Sequence, residues 1–372
     1  MSMIARFTTG AVARLVVAAI VVPFLFSRCV AIAGEGPVRG QEVLFFQSLA
    51  SVSSDNRWLV TVQGRIFEPV QKNRGREAMI DTLAPLVGAS HTGTIFRARA
   101  GYFLSDSNRN TRVSVKIGER VIPLPASNPA GYFTADIALT NSEVMQLAKG
   151  GVISFQSLPT VTNAERFPGS VILVPEEGVT VITDMDDTIK ITEMLNHKKK
   201  MANTFVLPFR AVPGMADLYR SWKEALGPSI HFHVVSAGPW QLNEPLRRFT
   251  EEAGFPAFTW DMRSVDIGDV SVLLRELSSN PKEFKLEKIK AFMARFPKRH
   301  VVLVGDSGEQ DPEVYSAILS EFPDRVDAVF IRNVRCEDQE DRYERLFPSK
   351  EATAKLKVFL DPKELPHLTP HR

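Results

Sequence analysis

The sequence predicts an all-β, sandwich-like domain followed by an α/β domain whose parallel sheet carries helices on both faces. From about Gln41 to Pro175, apolar and polar residues alternate in short runs that end at turn formers, which is the pattern of half-buried strands. After Pro175, short apolar runs alternate with helical stretches, which is typical of doubly wound sheets. The change of pattern places a boundary at residues 175–178, and a chain of 372 residues suffices for two domains.

The β-rich domain, residues 34–175, is predicted from its strand periodicity. The clearest run is Trp58–Phe67, in which apolar and polar side chains alternate. Apolar spacing predicts one helical interruption at residues 76–87. Further strands are predicted at residues 93–104, 111–117, 132–139 and 151–155. Short strands separated by turn residues favour an all-β sandwich.

The α/β domain, residues 176–340, is predicted from buried strands that alternate with helices. The strands are expected at residues 179–183, 230–235, 258–260, 301–304 and 328–331. The helices are expected at residues 214–226, 241–253, 286–295 and 312–321. Residues 341–372 are expected to form a tail that packs on this domain. Ligands of such sheets bind beyond the carboxyl ends of the strands, so the residues after each strand are the functional candidates.

The N-terminal segment has the pattern of a secretory signal peptide. Two arginines precede the uncharged apolar run Leu15–Phe26, and small residues follow it at Ala31 and Ala33. Cleavage is expected after Ala33, which makes residues 1–33 the signal and predicts export, with the periplasm as the expected location. The apolar run is shorter than the roughly 20 residues that span a bilayer, and an uncleaved membrane anchor is the alternative.

Charge and cysteine usage exclude two classes of protein. Residues 1–33 contain three arginines and no acidic residue, so the remaining chain has 42 basic and 43 acidic residues. A net charge near zero argues against a nucleic-acid partner, because such proteins carry a strongly basic surface. Only Cys336 remains after processing, which excludes an intramolecular disulfide framework.

Two acidic motifs follow predicted strands. Asp184, Asp186 and Thr188 come directly after strand 179–183, where burying like charges is costly unless a cation offsets them. The alternative is an ordinary loop in which an aspartate caps a helix. After strand 301–304, the run Gly305–Asp311 begins with Gly305-Asp306 and ends with Asp311. Oxygen ligands on such a turn suit Mg²⁺.

Two less specific candidates complete the set. Ser236 follows strand 230–235 and precedes backbone N–H groups that could hold phosphate oxygens, although a helix N-cap is the alternative for this serine. Lys285 lies near the start of a predicted helix, about twenty residues before the next strand. Three neighbouring lysines compete with it for any role at the site, namely Lys282, Lys288 and Lys290.

Taken in the order in which they occur along the chain, these four motifs resemble those of the haloacid dehalogenase (HAD) superfamily. Over residues 179–334 the phrases DMDDTIK, SAGPWQL and GDSGEQD look like those of the actin-patch-protein type of phosphatidate phosphatase, a branch near the lipins. Met185 replaces the more usual isoleucine, and Asp187 stands where lipins carry glycine. The resemblance implies a HAD-like Rossmannoid catalytic domain that follows a β-rich domain in the chain.

The resemblance also implies roles for the candidate residues. Asp184 would be the nucleophile that forms an aspartyl-phosphate, and Asp186 would be the general acid and base, a role that favours a raised pKa. Thr188 would position the loop that carries Asp186. Ser236 and Lys285 would hold the phosphoryl group. The implied Mg²⁺ ligands are Asp184, the backbone carbonyl of Asp186, Asp306 and, directly or through one water, Asp311.

The implied reaction is hydrolysis of phosphatidate to diacylglycerol and phosphate. Substrate choice is expected to lie in the insertion at residues 189–214, where the basic run His197–Lys200 precedes the apolar run Phe205–Phe209. That pairing suits an anionic lipid and predicts peripheral membrane contact, whereas the alternative is a solvated turn followed by a core strand. Trp240 and Trp260 either line the same mouth or pack in the core. The alternative functions are hydrolysis of a soluble phosphate ester and non-catalytic binding of phosphatidate.

Overall fold

The computed structural model contains two β-sheets and describes residues 36–70, 78–81, 84–89, 93–265, 281–335 and 339–369. The predicted signal segment and Cys336 lie outside these residues. The first sheet belongs to the β-rich part of the chain and the second to the part after residue 175. The α/β and β-rich characters predicted from the sequence are therefore confirmed.

The first sheet has nine strands. They are β1 Glu42–Phe46, β2 Ser48–Val52, β3 Trp58–Glu68, β4 Asp106–Ser107, β5 Ser114–Ile117, β6 Arg120–Pro123, β7 Tyr132–Leu139, β8 Val152–Ser157 and β9 Pro168–Leu173. The long strand β3 pairs with β1, β2, β4 and β7, and the order continues from β2 through β9, β8 and β5 to β6. All pairs are antiparallel except β2 with β9.

The first sheet curves around its own apolar core. Phe45 of β1 makes edge-on ring contacts with Phe133 of β7, at 5.7 Å, and with Phe155 of β8, at 4.9 Å. Strands β7 and β8 are separated in the sheet by β3, β2 and β9, which in a flat sheet would hold them roughly 19 Å apart at about 4.8 Å per strand. One phenylalanine can bridge them only because the sheet bends.

Residues 93–104 are a helix, and the strand predicted there is wrong. Helix α1 spans Thr94–Leu104 and buries Phe96, Ala100, Phe103 and Leu104. These positions are separated by four, three and one residues, so they lie on one face of a helix. The predicted helical interruption before α1 includes helical residues 78–81 and a 3₁₀ turn at Ala84–Val87. A second helix, α2 at Asn141–Leu147, begins at a capping box formed by Thr140 and Glu143.

The second sheet has six parallel strands in the order β12, β11, β10, β13, β14, β15. Their bounds are β10 Gly178–Thr183, β11 His231–Pro239, β12 Thr259–Arg263, β13 Arg299–Asp306, β14 Val326–Arg332 and β15 Leu356–Phe359. The first five confirm the predicted strands. The sixth comes from the predicted tail, which therefore adds a strand to the sheet.

Helices cover both faces of the second sheet, as predicted. They are α3 His197–Met201, α4 Met215–Leu226, α5 Asn243–Glu252, α6 Lys282–Arg295, α7 Asp311–Glu321, α8 Glu340–Leu346 and α9 Lys350–Lys355. Successive strand residues point to opposite faces: Val181 packs in a core with α4 and α5, whereas Ile182 packs in a core with α6 and α7. Among the described residues, no helix is long and apolar enough to cross a membrane.

Direct contacts connect the two sheets. The guanidinium of Arg295 on α6 donates to Ser51 Oγ at 2.8 Å, Thr61 Oγ1 at 2.8 Å and Leu59 O at 3.1 Å. Trp240 stacks on Phe46 with 4.2 Å between ring centroids. The β-rich part is thus packed against the α/β part through both polar and aromatic contacts. The predicted domain limits 34–175, 176–340 and 341–372 stay predictions.

Candidate active site

The topology of the second sheet brings the two acidic motifs together. Strands β10 and β13 are parallel neighbours, and the N–H of Asp184 donates to the carbonyl of Val304 at 2.9 Å. Because both strands end at the same edge, Asp184 lies beside Asp306 at the end of β13. Asp311 is the first residue of α7 and returns to the same place.

The three aspartates form a buried cluster. Asp184, Asp306 and Asp311 each offer a carboxylate oxygen, and these atoms lie within 4.8 Å of one another. Their side chains are between 0% and 2% exposed. The approach of Asp311 depends on Gly305, since a Cβ on that residue would lie 2.4 Å from Asp311 Oδ2. The backbone N–H of Asp306 donates to the same oxygen at 3.2 Å.

Lys285 supplies the positive charge of the cluster. Its ammonium lies 2.8 Å from Asp184 Oδ1, 2.5 Å from Asp311 Oδ1 and 3.7 Å from Glu309 Oε2. The side chain is 1% exposed. Burial alone would lower the pKa of Lys285, but Asp184 and Asp311 raise it well above its ordinary value. Lys285, rather than a neighbouring lysine, is therefore the residue that α6 delivers to the cluster.

Each of two aspartates keeps one oxygen without a partner. Asp184 Oδ2 and Asp306 Oδ2 are buried and accept no hydrogen bond from any described residue. Their other oxygens are bound, Asp184 Oδ1 by Lys285 and Asp306 Oδ1 by the N–H of Gly308 at 2.6 Å. A buried carboxylate oxygen without a partner is costly. Two such oxygens beside Asp311 form an oxygen-only donor set, which fits Mg²⁺.

The electrostatics of the cluster also favour a cation. Burial raises the pKa of Asp184 well above its ordinary value, and Lys285 only partly opposes this effect. Burial and then the nearby Asp311 raise the pKa of Asp306. One lysine thus does not offset all the acidic groups that meet here, and an additional positive charge would stabilise their ionised forms.

Asp186 lies at the cavity in a different environment. Lys190 Nζ is 2.7 Å from Asp186 Oδ1, and the hydroxyl of Thr192 donates to the same oxygen at 2.6 Å. Burial raises the pKa of Asp186, but Lys190 and these hydrogen bonds outweigh burial and leave the pKa below its ordinary value. This direction is opposite to the raised pKa that a general-acid role would favour.

The loop after β10 is closed by Asp187. This residue has a positive φ of 57°, and its carboxylate accepts the N–H groups of Thr192, Glu193 and Met194. These contacts fold residues 187–194 back on themselves, so no aspartate of the motif caps a helix. Thr188 is fully buried, and its hydroxyl has no hydrogen-bond partner in the described part of the chain. The hydroxyl that contacts Asp186 is that of Thr192.

Ser236 lies inside strand β11 and faces the same cavity. Its hydroxyl accepts the N–H of Gly238 at 3.1 Å, and its side chain is 1% exposed. The following helix, α5, begins at Asn243 after the 3₁₀ turn Trp240–Leu242, so the N-cap alternative for Ser236 is wrong. Ser236 and the backbone after it form one side of the cavity.

The cavity joins the acidic cluster to the predicted insertion. Its lining consists of Asp184, Asp186, Lys190, Met194, Lys200, Thr204, Phe209, Ser236, Ala237, Gly238, Pro239, Leu242, Leu246, Pro281 and Glu309. The insertion contributes Lys190, Met194, Lys200, Thr204 and Phe209. Residues Ala202–Val206 form a π-helix, so the alternative of an ordinary core strand there is wrong. Neither Trp240 nor Trp260 lines the cavity, and both pack in the core.

Three site residues received no role in the sequence analysis. Glu309 lines the cavity near Lys285, and Lys190 and Thr192 contact Asp186. Glu309 could have been considered because it lies between Asp306 and Asp311. Lys190 follows Asp186 by four residues, but that spacing carries meaning only in a helix, and this segment is a loop.

Comparison with known proteins agrees with this geometry. Residues 179–333 match the family described as the catalytic domain of phosphatidate phosphatase APP1. An uncharacterized protein of Schizosaccharomyces pombe is 26% identical over 217 residues, covering 56% of this chain and 34% of the relative. Phosphatidate phosphatase APP1 of Saccharomyces cerevisiae is 28% identical over 172 residues, covering 45% of this chain and 28% of the relative.

The chain thus spans about a third or less of the length of these curated relatives. The matched segment contains every motif on which the resemblance was based, from Asp184 to Asp311. The predicted resemblance is confirmed: residues 179–333 match the catalytic domain of the APP1 type of phosphatidate phosphatase.

Proposed function

We propose that this chain is a Mg²⁺-dependent phosphatidate phosphatase of the HAD superfamily. The observation that supports this most directly is the meeting of Asp184, Asp306, Asp311 and Lys285 in one buried cluster, with two carboxylate oxygens left unpaired. Asp184 of this cluster lines the cavity. Similarity to the phosphatidate phosphatase family supports the lipid substrate. Hydrolysis of a phosphate monoester is very slow without a catalyst, so several charged groups must act together.

The proposed reaction has two displacement steps. First, a carboxylate oxygen of Asp184 forms a bond to phosphorus while the bond from phosphorus to the alcohol oxygen breaks; that oxygen takes a proton from Asp186 and leaves as diacylglycerol. Then Asp186 accepts a proton from water, the water oxygen attacks phosphorus, and the bond to Asp184 breaks to release phosphate. The covalent aspartyl-phosphate divides one difficult displacement into two easier ones.

Asp186 must carry a proton when the alcohol leaves. In the structure without substrate, Lys190 and Thr192 favour its ionised form. A phosphate dianion in the cavity would raise the pKa of Asp186, because like charges disfavour ionisation. Lys190 and Lys200, which also line the cavity, would attract the same phosphate oxygens. Substrate binding would therefore prepare Asp186 for its role.

The residues at the cluster fit one Mg²⁺. Asp184 Oδ2 and Asp306 Oδ2 would hold the ion, with the backbone carbonyl of Asp186 and with Asp311, directly or through water. When bound, Mg²⁺ would supply positive charge that screens phosphate oxygens from the carboxylates. Lys285 would keep Asp184 ionised for attack, and Ser236 would donate to the phosphoryl group. Thr188 would support the loop that carries Asp186.

Substrate choice is proposed to rest on the insertion at residues 189–214. Thr204 and Phe209 line the cavity together with Leu242 and Leu246, which gives the phosphate site an apolar side. Outside it, Leu195 is 53% and Leu207 is 44% exposed, near the exposed basic residues His197 and Lys198. Exposed leucines beside lysines suit an anionic lipid surface. We propose that this face contacts the membrane peripherally.

We also propose that the protein is exported to the periplasm. The signal pattern of residues 1–33 supports this location. Sequencing the N-terminus of the protein recovered from its native compartment is the test, and the expected first residue is Gly34. Recovery of an intact Met1 from a membrane fraction would favour the anchor alternative.

The decisive experiment measures phosphate release by the full chain from phosphatidate in mixed micelles and from soluble esters such as glucose 6-phosphate. Phosphatidate is expected to be hydrolysed with Mg²⁺ and not with EDTA. Turnover of soluble esters alone would contradict the lipid proposal and favour a soluble-ester phosphatase. Binding of phosphatidate without release of phosphate would favour the non-catalytic alternative.

A further inference from the structure

A buried arginine of the β-rich part lies behind one wall of the cavity. Arg99 is on helix α1 and is 7% exposed. The helix packs against residues 202–209, which we call the wall segment; Phe103 of α1 and Phe205 of the wall segment lie 5.4 Å apart between ring centroids. Thr204 and Phe209 of this segment line the cavity. Arg99 is therefore one layer away from the place where substrate would bind.

Arg99 holds the wall segment through three contacts. Its Nη1 atom donates to the carbonyl of Thr204 at 2.8 Å and to the carbonyl of Leu207 at 2.9 Å. Its guanidinium carbon lies 3.5 Å from the centroid of the Phe209 ring. The two hydrogen bonds fix the backbone of the wall, and the cation–π contact fixes the side chain that faces the cavity.

The charge of Arg99 is not there to balance a carboxylate. Burial lowers the pKa of Arg99 to about 10, so the side chain is charged at neutral pH. None of the ion pairs among the described residues includes it. A buried charge that is held by carbonyls and a ring costs desolvation free energy, and an apolar side chain would fill the same space at lower cost. A positioning role explains why a cation stands here.

The opposite side of the cavity also rests on the β-rich part. Trp240 directly follows strand β11, which carries Ser236, and it stacks on Phe46. The hydroxyl of Tyr132 lies 3.1 Å from the side-chain oxygen of Gln241 and donates to it. The wall segment and the residues that directly follow β11 are thus both backed by residues from before the predicted boundary at residue 175.

We propose that Arg99 is a positioning residue that fixes the wall segment and thereby sets the affinity for the organic part of the phosphate ester. The β-rich part of the chain is then a component of the substrate site. This inference rests on the proposed function for the identity of the substrate. The position of the wall segment itself can be tested without it.

The kinetic test compares Arg99→Met and Arg99→Lys in the full chain, with Arg97→Met as the matched control. Arg97 lies on the same helix and pairs with Asp81, which is outside the wall segment. For Arg99→Met we expect KM for phosphatidate to rise about tenfold, with kcat changed less than about threefold. Arg99→Lys keeps a cation over Phe209 and should recover part of the loss, and Arg97→Met should behave as the unmodified protein.

A small ester separates positioning from general damage. p-Nitrophenyl phosphate has no acyl chains to rest on the wall segment, so its kcat/KM should change less than about threefold in Arg99→Met. Equal losses for both substrates, or an unchanged KM for phosphatidate, would overturn the proposal.

Hydrogen exchange gives a readout that does not depend on the substrate. The amides of residues 202–209 should exchange faster in Arg99→Met than in the unmodified protein and in Arg97→Met, while the strands of the second sheet keep their protection. Unchanged exchange of the wall segment would refute the role of Arg99. Absence of phosphatidate turnover by the unmodified protein would instead refute the proposed function.

Discussion

Both ends of the parallel sheet bury charged side chains, but only the amino end supplies them with a full set of hydrogen-bond partners. At the amino end, Arg299 is fully buried and donates to five oxygens, those of Thr180 Oγ1 and the carbonyls of Pro175, Glu177, Val179 and Ser229. At the carboxyl end, Asp184 and Asp306 each keep a buried oxygen with no partner among the described residues. The fold thus supplies hydrogen-bond partners for the buried guanidinium and leaves one oxygen of each of two buried carboxylates without a partner.

The difference shows how structural charge can be distinguished from functional charge. Arg299 is neutralised by the carbonyl dipoles around it, and removing it would leave those carbonyls unpaired. The aspartates are neutralised only in part by Lys285, which leaves free capacity for a cation and a phosphoryl group. In this pair of sites, the satisfied charge of Arg299 connects parts of the fold, whereas the unpaired oxygens of Asp184 and Asp306 mark a candidate binding site.

The largest expected effect is on catalysis at the carboxyl end. We expect Asp184→Asn to lower kcat by at least about 10³-fold, because the amide cannot form the covalent intermediate. Its Tm should be unchanged or higher, since a buried charge next to other carboxylates is removed. Phosphate release and thermal unfolding are the measurements. Asp217→Asn, the same change on the exposed face of α4, is the control, and near-normal turnover by Asp184→Asn would contradict the mechanism.

The opposite pattern is expected at the amino end. Arg299→Met should lower the free energy of unfolding by about 3–5 kcal/mol, because it leaves buried carbonyls without a donor. Activity per folded molecule should stay within about twofold, since Arg299 does not line the cavity and lies at the opposite end of β13 from Asp306. Urea unfolding and active-site titration measure the two quantities. A stability loss below about 1 kcal/mol would mean that this buried network contributes little.

The effect of Mg²⁺ on the free energy of unfolding should also differ between variants at the two ends of the sheet. Mg²⁺ at about 100 times its Kd is expected to raise the free energy of unfolding by roughly 2.7 kcal/mol. Asp306→Asn removes a proposed ligand and should abolish this increase, whereas Arg299→Met should retain it on a lower baseline. Thermal scans with Mg²⁺ and with EDTA are the measurement. An equal Mg²⁺ response in Asp306→Asn would place the ion elsewhere.

The smallest expected effect is a pH dependence that arises at the amino end. Burial, then His233 and Arg299, lower the pKa of His231 well below 6.5. Below pH 6.5 the unfolded chain therefore takes up a proton that the folded chain refuses. Stability from this residue is complete above pH 6.5 and is lost as the pH falls towards the folded pKa, by at most about 1.4 kcal/mol per pH unit.

His231→Gln should flatten this part of the stability profile. Urea unfolding at pH 7, 6 and 5 measures the slope. His197→Gln, on the exposed helix α3, is the control and should keep the slope of the unmodified protein. Parallel profiles for His231→Gln and the unmodified protein would show that His231 is not responsible.

The sequence allowed the catalytic end of the sheet to be predicted because its residues follow strands directly. Asp184 and Asp306 stand at the ends of two buried apolar runs, and parallel topology alone brings such ends together. Lys285 required the family resemblance, since nothing in its local sequence distinguishes it from Lys282 or Lys288. Its role depends on which face of α6 meets the sheet.

Other features could not be predicted because tertiary contacts decide them. Residues 93–104 contain aromatic and small residues that suit either a strand or a helix, and the packing of Phe103 on Phe205 selects the helix. In the sequence, nothing distinguishes Arg99 from a solvated arginine. It is buried because its helix packs against the wall segment. Arg299 likewise begins an ordinary strand, and the five oxygens that surround it come from two separate stretches of the chain, residues 175–180 and Ser229.

The close approach of Asp311 to Gly305 limits which residues can replace this glycine. The geometry of the cluster depends on atoms that are absent, since even the methyl group of alanine would enter the space of a carboxylate oxygen. Every missense change in that codon should therefore produce a folded but inactive enzyme. In a saturation library selected for turnover, we expect this position to return a single residue, although no glycine performs any chemistry.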